Sequence, residues 1–176
     1  MPGASVRSVS SPDSTSDPGS GSPDPIMDRI TALITSAHAG ERAAARAGFD
    51  ALWPELTDPF HRCVLAHYAA DVQDDPRVEL DWDERALAAA GEVPEGRAER
   101  HHPGLQLSGF YPSLHLNLAE DHRRLGDPVR AREHLAAARA RLGALEGTEE
   151  GAPGYADTIR AALDRLAARL DAPTGA

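Results

Sequence analysis

Apolar residues recur along this chain at three- and four-residue intervals, separated by short breaks rich in Gly, Asp and Pro. That period belongs to amphipathic helices, in which positions i, i+3, i+4 and i+7 share one face. The most regular stretch runs from Tyr111 to Gly143. Leu114, Leu118 and Leu125 stripe its first half, and Ala131, Leu135, Ala138 and Leu142 its second. Between them Leu125-Gly126-Asp127-Pro128 is a break, with glycine placed to close one helix and Asp-Pro to open the next. So short a turn predicts an antiparallel helical hairpin, neither member of which buries its stripe alone.

The same pattern extends over the rest of the chain. Ile30, Leu33, Ile34 and Ala37 stripe a helix starting near Pro25-Ile26, and Gly40 interrupts it. Ala43 to Trp53 is a second helix carrying Ala45, Phe49, Leu52 and Trp53, stopped by Pro54 and Thr57-Asp58-Pro59. Phe60 to Val72 and Val78 to Ala90 form another pair about the turn Asp74-Asp75-Pro76. Gly91 to Gly109 interrupts the pattern, with Glu95 to His102 suited to a short helix and Leu105-Gln106-Leu107 either extended or continuous with the next helix. After an acidic loop from Glu146 to Gly154, Tyr155, Ile159, Leu163, Leu166 and Leu170 mark a last amphipathic helix.

The hairpin of Tyr111 to Gly143 resembles one tetratricopeptide repeat. That repeat carries an aromatic, Leu-Gly and Tyr in its first helix, then Ala-x3-Phe and a late Pro in its second. The matching positions are His115, Leu118-Ala119, His122, Ala131-x3-Leu135 and Gly143, with a further small residue at Ala138. The large aromatics of the family are replaced by His115, His122 and Leu135. Ala45-x3-Phe49 and Val78-x3-Trp82 echo the second-helix step, and Trp82 follows Phe49 by 33 residues, close to the family's period of about 34. Leu135 follows Trp82 by 53, so roughly half a repeat is inserted between them. The resemblance implies an all-α fold, a short right-handed helical-hairpin solenoid with a C-terminal capping helix over residues 26–171.

Composition narrows the function. Met1 to Pro25 is Ser, Pro, Gly and Asp with two valines, too little apolar surface to offset ordering, so a disordered tail is expected there and another disordered end over residues 172–176. No secretory signal or membrane span is visible, which makes a cytoplasmic location the expectation. The formal net charge of −10 argues against nucleic acid or an acidic membrane as partner. Every basic residue is arginine, which removes Schiff-base and phosphate-loop lysines. Alanine and arginine abundance fits the codon usage of a GC-rich genome.

Candidate chemistry comes next. Cys63 stands alone, so neither an internal disulfide nor a thiolate zinc cage is available, and Cys63 with His67 reads as packing on a helix. Eight histidines invite a metal reading, yet His-Glu-x-x-His is absent. No Gly-x-Ser-x-Gly elbow stands in a strand-turn-helix setting.

The expectation is a non-enzymatic module without cofactors that binds a protein or peptide. A metal-dependent, hydrolase-like helical protein using His, Asp and Glu side chains is the alternative. In the family that this chain resembles, first helices line a concave groove, which implies a partner surface of His67, Asp71, Asn117, Glu120 and Arg124. Asn117, Glu120 and Arg124 are spaced i, i+3 and i+7. Asn117 falls where carboxylate-binding members hold an asparagine, but their lysines are missing here. Acidic Asp71–Glu84 and arginine-rich Arg123–Arg141 would also let two copies pair head to tail as a homodimer.

Overall fold

Four helices open on the same two-residue device, an aspartate followed by proline. In the computed structural model, which describes residues 24–94, 110–142 and 154–172, Asp24, Asp58, Asp75 and Asp127 are the N-caps of helices that begin at Pro25, Pro59, Pro76 and Pro128. Each carboxylate accepts from a backbone N–H of the first turn: Met27 at 3.0 Å, Phe60 at 2.8 Å, Arg77 at 2.9 Å and Arg130 at 3.0 Å. The cap satisfies an orphan donor, and proline's fixed φ is preset for the first helical position.

Seven α-helices result among the described residues: α1 (Pro25–His38), α2 (Arg42–Leu52), α3 (Pro59–Asp71), α4 (Pro76–Glu92), α5 (Phe110–Arg124), α6 (Pro128–Arg141) and α7 (Tyr155–Asp171). A 3-10 turn, Trp53–Glu55, extends α2 where Pro54 stops it. Gly40 and Gly126 close α1 and α5 with φ of +90° and +81°, a left-handed conformation that a side chain resists. Past each of them a backbone N–H returns to the helix, from Glu41 to the Ser36 carbonyl at 3.0 Å and from Asp127 to the His122 carbonyl at 2.8 Å. None of the described helices is long and apolar enough to cross a membrane.

Successive helices pack on one another, α1 on α2, α3 on α4, α4 on α5, α5 on α6 and α6 on α7, and α1 also reaches α3 as α5 reaches α7. Among the described residues the fold is all-helical, as the periodicity predicts. The first helix starts at Pro25 with Asp24 as its cap, and Asp24 also accepts from His61 Nε2 at 2.8 Å, so Asp24 and Pro25 belong to the fold and not to a tail. The expected features at residues 1–23, 95–109, 143–153 and 173–176 lie outside the described residues.

The apolar interior comes in two parts. One gathers Ile30, Phe49, Leu52, Leu56, Phe60, Val64, Leu65, Trp82 and their small neighbours from α1 to α4, together with Leu114 from the start of α5. α3 is its axis, because Phe60, Cys63, Val64, Leu65, Ala66, Ala69 and Ala70 make it apolar on nearly every side. The other unites Ala119, Leu135, Ala138, Ile159, Leu163 and Leu166 from α5, α6 and α7. Some stripe positions differ from expectation. Val78, placed as the small partner of Trp82, is 40% exposed, and Leu125 and Tyr155, at helix ends, are exposed as well.

Ala131 does hold the small-residue position, fully buried in α6, which packs along α5. Ala131→Phe is expected to overpack that interface and cost about 1–3 kcal/mol. Chemical denaturation tests this, since unchanged stability would mean that the α5–α6 contact is looser than the burial of Ala131 implies.

Candidate functional site

Polar side chains interrupt the apolar packing where α3, α4 and α5 meet. On α4, Glu79 and Asp83 stand one turn apart, and on α5, Asn117, Asp121 and Arg124 follow the i, i+4, i+7 face. Asp83 and Asp121 are each only 1% exposed, and their carboxyls lie beside one another across the α4–α5 packing. The Asn117 amide donates to Asp83 Oδ1 at a long 3.4 Å. Arg124 donates to the Glu79 carboxylate and lies 3.9 Å from Asp121 Oδ1. Asp121 Oδ2 is buried without a hydrogen-bond partner.

Such a pair holds protons tenaciously. Burial, then the Asp121 charge, pushes the Asp83 carboxyl up to about 9. Burial, then the Glu79 charge, pushes Asp121 up to about 7. The protons belong to the pair as a unit.

From α3, His67 and Asp71 approach the same seam. The His67 ring meets the edges of Tyr68 and of Phe110 with centroids 5.3 and 6.1 Å away, and its Nδ1 is buried without a partner. Burial lowers its pKa, against the pull of Asp71. Asp71, at the solvent end of α3, is held above its ordinary range by desolvation, with Glu79 adding to the effect and His67 opposing it.

The residues expected to form one surface therefore divide. His67, Asp71, Asn117 and Arg124 come to the α3–α4–α5 seam. Glu120 turns away, accepting from Arg123 at 2.9 and 2.8 Å and from Arg169 of α7 at 3.1 Å. The Arg123 hydrogen bonds hold its carboxyl below the usual range. Asp83 and Asp121 are the residues that sequence reasoning missed. A signal existed, because Asp121 occupies the stripe of Leu114 and Leu118, and Asp83 that of Ala86 and Ala90.

A histidine cluster spans α5 and α6. The His122 ring stacks on His134, with centroids 5.4 Å apart and planes 16° off parallel. His115 Nδ1 is 3.0 Å from His134 Nδ1, while His115 Nε2 is buried without a partner. Burial, with the Arg141 guanidinium and His134 nearby, drives His115 down to about 4. These rings pack on one another between α5 and α6. Among the described residues no group of three or more His, Cys, Asp or Glu side chains is arranged to hold a metal ion. Burial drives the Cys63 thiol up to about 12, the opposite of what nucleophilic activation requires.

Two further surfaces are distinct from the seam. Trp53 meets Trp82 edge to face at 5.2 Å, and Arg62 and Arg85 lie over its ring beside a cavity of about 140 Å³ that Glu92 also lines. A shallow apolar groove of about 340 Å³ follows Ala32, Leu33, Gly48 and Ala51 between α1 and α2. The arginines of α6 serve the chain itself, with Arg139 on Asp164 at 3.0 Å and Arg132 on the Leu170 carbonyl at 2.7 Å.

No family model matches the chain, and neither a curated protein nor a solved structure gives a significant match.

Proposed function

We propose that this protein is a non-enzymatic, cytoplasmic helical-repeat module, a short tetratricopeptide-like solenoid capped by α7, that binds a protein or peptide. The observation that supports this reading is the α3–α4–α5 seam. The first helices of two successive hairpins bring Asp71, Asn117 and Arg124 there, two of them exposed and of opposite charge, beside the partly buried His67. Polar groups so placed orient an extended chain, while apolar neighbours such as Tyr68, Phe110 and Tyr111 supply contact area.

Selection of displayed peptides against the folded full chain tests this. Selected peptides should bind saturably and lose at least about tenfold in affinity, or about 1.4 kcal/mol, against Asn117→Ala combined with Arg124→Ala. Circular dichroism must show parental helicity in the variant. Failure to select any saturable peptide, or equal binding by the variant, overturns the reading.

A further inference from the structure

The α4–α5 packing joins the two apolar interiors, and at that joint the chain places two carboxyls against each other with little to neutralise them. We propose that Asp83 and Asp121 form a proton-held latch that fastens the α1–α4 part to the α5–α7 part and lets the α4–α5 packing open as the pH rises past neutrality.

The geometry carries the argument. Asn117 of α5 reaches Asp83, and Asp121 lies one turn further along the same helix face with its Oδ2 buried and without a partner. Two carboxyls at 1% exposure therefore stand side by side and favour a shared proton, because buried like charges repel. The surroundings relieve the repulsion only in part. From α3, Asp71 adds negative charge to Asp83, with His67 held neutral beside it by burial. From α4 itself, Glu79 adds negative charge to Asp121. From α5, Glu120 is a further anion, Arg124 donates to Glu79 and stands 3.9 Å from Asp121 Oδ1, where its charge opposes part of the repulsion, and the Asn117 amide offers a single long hydrogen bond. Of the elements behind α5, α6 turns His134 to His115 and His122, and α7 turns Arg169 to Glu120. With its proton the pair is an O–H···O bond across the joint; without it, two anions face each other and Asp121 Oδ2 has no donor. Leaving the joint gives both carboxylates water.

The direction with pH follows from linkage. An unfolded or opened aspartate titrates near ~3.9, whereas the folded pair keeps protons to higher pH. The stabilisation is complete below that value and is lost as the pH rises through about 7 and about 9. Three histidines act in the opposite sense. His115, His67 and His134 have lowered values, so their contribution is lost as the pH falls below ~6.5. Cys63, raised like the pair, adds a decline of its own only above ~8.5. The interval from ~6.5 to ~8.5 therefore reports the latch.

The experiment follows the full chain across that interval by chemical denaturation and by amide hydrogen exchange corrected for its intrinsic pH dependence. Asp83→Asn and Asp121→Asn serve as comparisons, since an amide N–H bonds the remaining carboxylate without a shared proton. The parent's folding constant should fall about tenfold per pH unit for each proton that the folded pair still holds. Protection should be lost first on the facing turns of α4 and α5 and be retained in α2 and α3. In either variant both trends should flatten. A parent whose folding constant and exchange are level across the interval overturns the proposal, even if one variant fails to fold. So do a variant that tracks the parent and a loss of protection spread evenly over all helices.

Discussion

Phe49→Ala lowers the stability of the protein by about 3–5 kcal/mol. Phe49 is fully buried, the largest apolar side chain that α2 contributes, in an interior shared with Ile30 of α1, Phe60 and Leu65 of α3, Trp82 of α4 and Leu114 of α5. Truncation removes the transfer free energy of the ring and leaves a cavity that surrounding helices fill only in part. Ala45 and Leu52, its neighbours along the same face, are small or already packed and do not replace the lost volume. Urea denaturation followed by circular dichroism should show a lower midpoint with an unchanged slope. A cost below about 1 kcal/mol would place Phe49 at a site that collapses freely, and the α1–α4 interior described above would be wrong.

Leu163→Ala is expected to cost about 2–5 kcal/mol, and to do so unevenly along the chain. The second interior is small, and α7 supplies Ile159, Leu163 and Leu166, three of its six buried members. Leu163 is the middle one and is fully buried. Its loss therefore weakens the attachment of α7 before it weakens α1 to α4, which share none of these side chains. Hydrogen exchange should show α7 opening at lower free energy than in the parent, with α2 and α3 little changed. Equal loss of protection everywhere would mean that the two interiors form one cooperative unit.

Much of the fold is local in origin, which is why it is legible in the chain. The helix starts need only an aspartate side chain, the N–H groups of the next turn and a proline ring, all within a few residues. The ends at Gly40 and Gly126 need a backbone that tolerates positive φ. The stripes of Ile30, Phe49, Leu114, Leu135 and Leu163 follow from the helical period, and each of these residues is buried. Val78 shows the limit, because periodicity says which side chains share a face but not whether a neighbour lies against it.

The site was legible only in part. Asn117, Glu120 and Arg124 share a spacing, yet one lies against Asp83, one on Arg169 of α7 and one on Glu79, a division that depends on where α4 and α7 lie beside α5. His134 becomes the centre of three stacked or bonded rings only because α5 lies beside α6. By itself, then, the sequence determined the helices, their caps and the apolar faces, because those rest on interactions among residues a few positions apart. Tertiary structure alone decided that Asp83 and Asp121 meet. Either carboxylate is stable in water on its own helix, and only the packing of α4 on α5 removes that water and puts one charge beside the other.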